Sequence, residues 1–443
     1  MPRPGCTDQD RLPNRLATLA GRGGLADAAA TSQQRRGALA AGRPRAGLPL
    51  AAAWVLPALV VWALPTSRAR ASSPEIELAE ESGAARAVEA GQRRQFGMRW
   101  RRASVAMGFD RTVLESLGRP AISRQHVIVG TGEGFVRAYS RTDGKLVWEY
   151  DYGEPFQTTA HVARDSEGRE LVILGALDQH LLALHAADGS RAWRADVGGA
   201  VRAAPRKAMG ALFVATANDR VHRVDINSGT VVWSRSRPGA SGLRVDGHAR
   251  PWVADGSVYA GFSDGYLEAY DAATGERQWS RPLSIDGGEF EDADADPLLW
   301  NGILYAASYS DGIYALSPDG GEVLWQRQAP SVVSLAHTGE ALVAGSADGW
   351  VWGLEPNEGQ ARFRTRLPSG PVSQILCKRG MLLFTNGSRG LVALDAANGK
   401  PLQASAIPGR ASGPAVWFED DVAFLSRAGY VYLYGYQAPG LFQ

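Results

Sequence analysis

Short apolar runs of four to six residues, separated by turn residues, recur through most of the chain. One stretch contains residues 256–261 (GSVYAG), 266–271 (YLEAYD) and 277–280 (RQWS), with the turns SDG and TG between them. Apolar runs bounded by Asp-Gly and Thr-Gly dipeptides indicate strands joined by hairpins. Each such stretch therefore predicts one small antiparallel sheet.

The last hairpin of each stretch ends in the same pattern, a glycine followed four residues later by a tryptophan. The full pattern occupies residues 144–148, 189–193, 229–233, 275–279 and 321–325, and weaker forms end at Phe363 and Gln403. Counted from Trp100, which lacks the glycine, the steps are 48, 45, 40, 46, 46, 38 and 40 residues. Repeats of this length typically hold one four-stranded propeller blade each.

The glycine and the tryptophan of the pattern each have a structural explanation. Tight turns need positive φ, which costs glycine little, and a large ring on an outer strand can fill the wedge between neighbouring blades. The tryptophans predicted to be structural are Trp100, Trp148, Trp193, Trp233, Trp279 and Trp325.

The two ends of the repeat region complement each other. After Gln403 the chain has three more strand-like runs, 414–418, 422–426 and 430–434, so the last blade lacks a fourth strand. Residues 98–104 supply one with Trp100 in the right place. The sequence thus predicts an all-β fold, an eight-bladed β-propeller of four-stranded antiparallel blades, closed when the N-terminal strand completes the last blade.

The segment before the repeats resembles an export signal. Residues 48–65 (LPLAAAWVLPALVVWALP) form an apolar run that follows several arginines and precedes Ala69-Arg70-Ala71, a cleavage pattern. The predicted organisation is a basic extension at 1–45, a signal peptide or uncleaved signal anchor at 46–71, a linker at 72–96 and the propeller at 97–443. No cysteine lies just after the apolar run, so the signal is not of the lipoprotein type; the only cysteines are Cys6 and Cys377.

Charge argues against nucleic acid as a partner. Residues 1–70 hold ten Arg and three Asp, a balance of +7, which leaves 37 basic against 43 acidic residues, or −6, in the rest of the chain. Nucleic-acid binders carry a basic face instead.

The repeat resembles a known one. Residues 269–279 (AYDAATGERQW) look like the pyrroloquinoline quinone (PQQ) repeat, which occurs in quinoprotein dehydrogenases and in non-enzymatic propellers. Among these, residues 98–436 are most similar to the BamB family of the outer-membrane β-barrel assembly machinery. The similarity is sharpest in 292–306 (DADADPLLWNGILYA), because that family shows D-x-D-x-x-P followed by an apolar N-G strand.

The resemblance implies a non-enzymatic periplasmic scaffold at the outer membrane. It would act as a monomer within a complex, dock on the POTRA domains of the barrel-inserting subunit BamA, and meet unfolded β-barrel clients. The family's contact residues map to Leu243 and Arg244 in one loop and to Asp292 and Asp294 in a second. The first loop departs from the family pattern, with Ser241 in place of a leucine and a two-residue drift after Arg244.

The second loop is notable for its charge alone. Five carboxylates fall within eight residues, and mutual repulsion makes such a cluster costly unless it is solvated or has a cationic partner. Three interpretations stay open: a partner-binding patch, a solvated rim and a metal site. The calcium-loop motif fails, because Pro297 replaces its glycine and Ile303 its final glutamate. The five carboxylates belong to Glu289, Glu291, Asp292, Asp294 and Asp296.

Two other functions are compatible with the repeat, a quinoprotein (PQQ-dependent) dehydrogenase and an exported ligand-sensing propeller. Quinoprotein dehydrogenases are typically longer and carry adjacent cysteines beside the quinone, which this chain lacks. The histidines also lack a metal-ligand spacing. We therefore expect no catalytic residues, cofactor or metal. The seven scattered histidines are His126, His161, His180, His185, His222, His248 and His337.

Overall fold

A computed structural model describes residues 75–77 (backbone only), 95–104, 118–156, 159–237, 249–283, 293, 295–368 and 370–437. The described part contains strands and no helix, so it holds no helix able to cross a membrane. The predicted extension at 1–45 and the predicted signal at 46–71 lie outside the described residues.

The strands form eight four-stranded antiparallel blades, as predicted. The first strand of each blade packs against first strands of neighbouring blades around a central channel, and the fourth is outermost. The first four blades are β3–β6 (Ala121–Ile122, His126–Gly130, Phe135–Ser140, Leu146–Asp151), β7–β10 (His161–Arg164, Glu170–Gly175, His180–His185, Arg191–Asp196), β11–β14 (Arg206–Ala208, Ala211–Thr216, Arg220–Asp225, Val231–Ser236) and β15–β18 (Trp252–Ala254, Ser257–Gly261, Tyr266–Asp271, Arg277–Pro282).

The next three blades repeat this order, and the eighth takes its outermost strand from the N-terminal side. These blades are β19–β22 (Leu298–Trp300, Ile303–Ser308, Gly312–Leu316, Val323–Arg327), β23–β26 (Val332–His337, Leu342–Ser346, Trp350–Leu354, Ala361–Arg366), β27–β30 (Leu376–Lys378, Met381–Asn386, Gly390–Asp395, Pro401–Ser405) and β31–β33 (Val416–Phe418, Asp421–Leu425, Tyr430–Tyr436) with β2 (Phe96–Ala103). The predicted closure is confirmed, since β2 pairs antiparallel with β33 from Phe96 opposite Tyr436 to Ala103 opposite Tyr430.

The N-terminal boundary differs in detail from the prediction. The strand of the eighth blade begins at Phe96, one residue before the predicted start of the propeller. A further three-residue strand, β1 (Glu75–Glu77), lies inside the segment predicted as linker and pairs in parallel with the outer edge of β26. Sequence reasoning did not find it, because three residues are too short for a periodic pattern.

The hydrophobic core is a ring of clusters at the interfaces between blades. One cluster joins β-strands of the first and second blades, and another joins the eighth blade to the first through Trp100, Tyr139 and Leu433. Because every blade shares its apolar side chains with its neighbours, no blade has a complete core of its own.

The repeated glycine and tryptophan meet across six of the eight interfaces, and Phe363 takes the place of the tryptophan against Gly399 at a seventh. Gly275 has φ +72°, and a Cβ added there would lie 2.7 Å from Cδ2 of Trp233 in the preceding blade. The indole nitrogen of Trp233 donates to the carbonyl of Ala272 at 3.2 Å, just before the same turn. The ring of Trp233 thus lies between two neighbouring blades, and the equivalent pairs are Gly144 with Trp100, Gly189 with Trp148, Gly229 with Trp193, Gly321 with Trp279 and Gly359 with Trp325.

An arginine two residues after the tryptophan strengthens several of these contacts. Arg235 donates from Nε to the carbonyl of Gly275 at 2.6 Å and from a terminal nitrogen to the carbonyl of Thr274 at 2.9 Å. Sequence reasoning missed this role, although a Trp-x-Arg pattern was visible in four repeats. The four arginines are Arg102, Arg235, Arg281 and Arg327.

In the seventh blade, Gln403 occupies the position that holds tryptophan in most other blades. The closure of the ring explains this difference. The eighth blade joins two distant chain segments, β33 and β2, so it has no glycine turn for a ring to cover. The side-chain amide of Gln403 instead accepts from the Phe96 N–H at 2.9 Å and donates to the Phe96 carbonyl at 2.8 Å. The side chain of Gln403 thus supplies hydrogen-bond partners for the buried backbone at the start of β2.

Replacing Gly275 with alanine should lower the free energy of unfolding by about 2–4 kcal/mol, from left-handed backbone strain plus crowding against Trp233. Gly256→Ala in the same blade is the control, since Gly256 has φ +81° but open space around its Cβ position. It should cost only about 1–2 kcal/mol. Urea unfolding of both variants measures the difference, and equal losses would show that the ring contact contributes nothing.

Gln403→Leu should destabilise the propeller by about 2–4 kcal/mol, because the Phe96 N–H and carbonyl would stay buried without their partner. The matched control is Gln278→Leu on an exposed outer strand, where the side chain of Gln278 accepts a solvent-exposed hydrogen bond from the hydroxyl of Ser257 at 2.9 Å. Chemical denaturation should show a loss of about 1 kcal/mol or less there. A Gln403 variant as stable as the Gln278 variant would refute the closure role.

Candidate docking face

The four residues predicted to contact a partner belong to two connections that flank the fourth blade. Leu243 and Arg244 fall between β14 and β15, and Asp292 and Asp294 fall between β18 and β19. All four lie outside the described residues, so their contacts stay a prediction. The structure does describe the residues at which each connection leaves one blade and enters the next.

Both connections leave and re-enter the propeller on one face. Each links the outermost strand of one blade to the first strand of the next, so in antiparallel blades their described ends lie where the second strand turns into the third. The glycine–tryptophan hairpins join third to fourth strands and lie at the opposite end. We call the face with the two connections the loop face.

An ion pair joins the returning ends of the two connections. Arg250 donates from Nε to one carboxylate oxygen of Asp296 at 2.8 Å, and its backbone N–H donates to the other oxygen at 2.6 Å. Gln374 of the seventh blade also donates to Asp296, at 3.0 Å. We call the Arg250–Asp296 pair the clamp, since it fixes the spacing of the two segments just before they enter β15 and β19.

The departing end of the first connection is held by a second charged network. Arg237 follows β14, donates to Glu268 at 2.6 Å and also pairs with Asp264. Its guanidinium lies over the ring of Tyr266, 3.6 Å from the centroid. Three partners on the fourth blade therefore hold the last described residue before Leu243 and Arg244.

Glu268 is the buried centre of this network, with only 1% of its surface exposed. Ser280 donates to it at 2.8 Å, and the hydroxyl of Tyr270 donates to its other oxygen. Burial alone would raise the pKa of Glu268, but these hydrogen bonds and the charge of Arg237 outweigh it and hold that pKa below its usual value. The carboxylate is therefore ionised at neutral pH and pairs with Arg237.

The second connection is anchored by backbone contacts to the fourth blade. Leu283 is fully buried and its N–H donates to the carbonyl of Gly265 at 2.8 Å. Ala293 donates to the carbonyl of Phe262 at 3.3 Å, and its carbonyl oxygen would be 2.7 Å from a Cβ at Gly261. A glycine at 261 is thus needed for this close approach.

Asp296 is the one carboxylate of the acidic segment that the structure describes, and it is not a solvated rim residue. Both of its oxygens accept hydrogen bonds, from Arg250 and Gln374, so a bound cation would have to displace them. Among the described residues, no group of three or more His, Cys, Asp or Glu side chains is placed to hold a metal ion.

Sequence reasoning missed Arg237, Arg250 and Gln374. A signal existed for two of them, since Arg250, Asp296 and Gln374 each stand two residues before the first strand of a blade. Superposing the repeats at that position would have brought them to one ring. The superposition would not have shown that these three side chains form hydrogen bonds with one another, because that depends on the positions of their blades around the channel.

Comparison with protein families gives a match to most of the propeller. A family model described as outer membrane protein assembly factor BamB matches residues 83–177 and 165–365, more than half of the chain. BamB of Vibrio cholerae is 29% identical over 152 residues, which are 32% of this chain and 39% of that protein. BamB of Yersinia pestis is 28% identical over 142 residues, 31% of this chain and 36% of that protein. The matched part of the chain thus spans less than half the length of these two relatives.

Solved structures with the same fold include a BamB and a quinohemoprotein dehydrogenase. BamB from Moraxella catarrhalis superposes with a TM-score of 0.64 at 20% identity, covering 77% of this chain and all of that one. The quinohemoprotein alcohol dehydrogenase ADHIIG from Pseudomonas putida HK5 gives 0.60 at 14% identity, covering 79% of this chain and 77% of that one. At such identities these are likenesses of fold alone.

Asp296→Asn should lower the free energy of unfolding by about 1–3 kcal/mol, because the buried guanidinium of Arg250 would lose the negative charge of this partner. Asp420→Asn is the matched control, as Asp420 pairs with Arg379 at 2.5 Å but both side chains are well exposed. That surface pair should contribute at most about 1 kcal/mol. If both variants unfold at the same denaturant concentration, the clamp is not a stabilising contact.

Proposed function

We propose a scaffold function from one premise: this chain belongs to the family of the outer membrane protein assembly factor BamB. In this proposal it is a non-catalytic, exported propeller that works in the periplasm at the outer membrane. It docks on the POTRA domains of a BamA-like barrel-inserting subunit and assists the assembly of β-barrel clients. It acts as a monomer within that complex.

The Arg250–Asp296 ion pair links the proposed function to particular residues. The two connections that hold the family's contact positions return to the propeller through a single ion pair, Arg250 with Asp296. Their other ends start from the buried Arg237 network and from Leu283. A partner that touches both connections would therefore meet two segments on a preorganised frame, which reduces the ordering cost of binding.

The proposed contact residues contribute in two ways, through apolar burial and through charge pairing. Leu243 would supply apolar area at the centre of the contact, while Arg244, Asp292 and Asp294 would pair with opposite charges and set the orientation. Asp296 has a different role, since the clamp already uses both of its oxygens. In this proposal two of the three aspartates in the acidic segment contact the partner and the third supports them.

The likeness to quinohemoprotein alcohol dehydrogenases supports a shared propeller fold and does not supply a catalytic site. A second function as an enzyme has no specific residue arrangement in the described part of the chain to favour it. Scaffolding is the function that the loop face supports best.

The double variant Asp292→Arg, Asp294→Arg should bind purified POTRA domains at least about tenfold more weakly, because charge reversal at a contact costs more than about 1.4 kcal/mol. Calorimetry at fixed salt measures this. Glu289→Arg with Glu291→Arg is the matched control, with the same change in charge on the same segment, and should change the affinity by less than about threefold.

Both variants should keep the circular dichroism spectrum and melting temperature of the parent. Unchanged affinity in the Asp292 and Asp294 variant would contradict the assigned contact. An equal loss in both variants would show that the segment acts only through its total charge.

A further inference from the structure

One strand of the described chain lies outside the eight blades. β1 (Glu75–Glu77) pairs in parallel with the end of β26, the outermost strand of the sixth blade, and makes that sheet five-stranded. Because β1 runs in the same direction as β26, it points from the side of the glycine–tryptophan hairpins toward the loop face. The register partners are Glu75 with Arg364, Ile76 with Thr365 and Glu77 with Arg366.

The two paired segments share one alternating pattern. Thr365 is fully buried and donates to the carbonyl of Gly399 in the seventh blade at 2.8 Å, whereas Arg364 is partly exposed and Arg366 is exposed. The sequence Glu-Ile-Glu of β1 likewise places an apolar residue between two charged ones. Register partners belong to the same face of a sheet, so both glutamates take positions on the face of the two arginines. Opposite charges at such positions stabilise strand pairing.

Trp350 on β25 holds the two arginines at this edge. The guanidinium carbons of Arg364 and Arg366 lie 4.2 and 5.1 Å from the centroid of its ring. An indole attracts a guanidinium group within about 6 Å of its centroid. Trp350 is also the register partner of Arg366. The sixth blade itself therefore positions both arginines on one face of its edge.

No other blade offers this pair of charges on its outer edge. The comparison uses the first and the third residue after the tryptophan position of each outermost strand, and the structure describes these residues in all eight blades. Only the sixth blade has arginine at both places. The pairs in the other blades are Glu149 and Asp151, Arg194 and Asp196, Ser234 and Ser236, Ser280 and Pro282, Gln326 and Gln328, Ala404 and Ala406, and Arg101 and Ala103.

We infer that residues 75–77 form a strap, an acidic strand that recognises the sixth blade by charge and fastens the linker to it. The strap fixes the point on the rim of the ring at which the chain before the propeller is held. It also covers backbone of β26 that another chain could otherwise pair with. The inference does not depend on the proposed partner, because the strap can be measured on this protein alone.

Hydrogen–deuterium exchange of the mature chain, read in peptides that cover residues 72–80, tests the strap. The variant Arg364→Glu, Arg366→Glu should speed exchange of the amides in β1 at least about fivefold, because like charges would then face each other across the two strands. The linker variant Glu75→Arg, Glu77→Arg should do the same, and it changes no residue of the propeller. Combining all four changes restores opposite charges and should return the rate to within about twofold of the parent.

The matched control is Arg101→Glu, Arg194→Glu, which makes the same change of charge at the equivalent places of two other blades. It should alter exchange in 72–80 less than about twofold. Melting curves establish that each variant is folded.

Amides of β1 that exchange in the parent as fast as an unpaired chain would overturn the inference. Reversal of either side without effect would also overturn it, since backbone pairing would then not depend on charge. An equal effect of the control, or no recovery in the fourfold variant, would show that the particular pairing of Glu75 and Glu77 with the two arginines does not hold the strap.

Discussion

The contact between a turn glycine and the tryptophan of the preceding blade is the interaction on which the rest of the propeller depends. No blade has a complete core of its own, so the blades must be held edge to edge around the ring. At Gly275 the backbone adopts φ +72° and leaves room only for hydrogen beneath the ring of Trp233. The indole hydrogen bond and, in four repeats, an arginine then tie the same turn to the preceding blade. Repetition of this contact sets the spacing of the blades, and with it the points at which the connections on the loop face leave and enter the blades.

Closure of the ring accounts for the one interface at which no aromatic ring covers a turn glycine. The eighth blade combines β33 with β2, and this junction of distant segments replaces a hairpin turn. A tryptophan at position 403 would have no turn glycine to cover. Gln403 instead forms hydrogen bonds with the backbone of Phe96. The weakest copy of the sequence pattern thus marks the place where the two ends of the propeller meet.

The fold was largely predictable from the sequence, because its main contacts are encoded at fixed short spacings. The glycine turn, the tryptophan four residues later and the missing last strand were sufficient to predict eight blades and their closure. The frame of the candidate site was not predictable in the same way. Arg250 pairs with Asp296 across 46 residues, and Gln374 reaches Asp296 across 78. Such pairs depend on the placement of blades around the channel, which no local pattern in one sequence encodes.

The central claim is that the loop face, through the two connections on either side of the fourth blade, docks on a BamA-like partner. Hydrogen–deuterium exchange of the propeller alone and in complex with POTRA domains tests it most directly. The account predicts that the partner protects peptides covering 238–248 and 284–296 and leaves the glycine–tryptophan hairpins on the opposite face unchanged. Protection of those hairpins, with no change in the two connections, would contradict it.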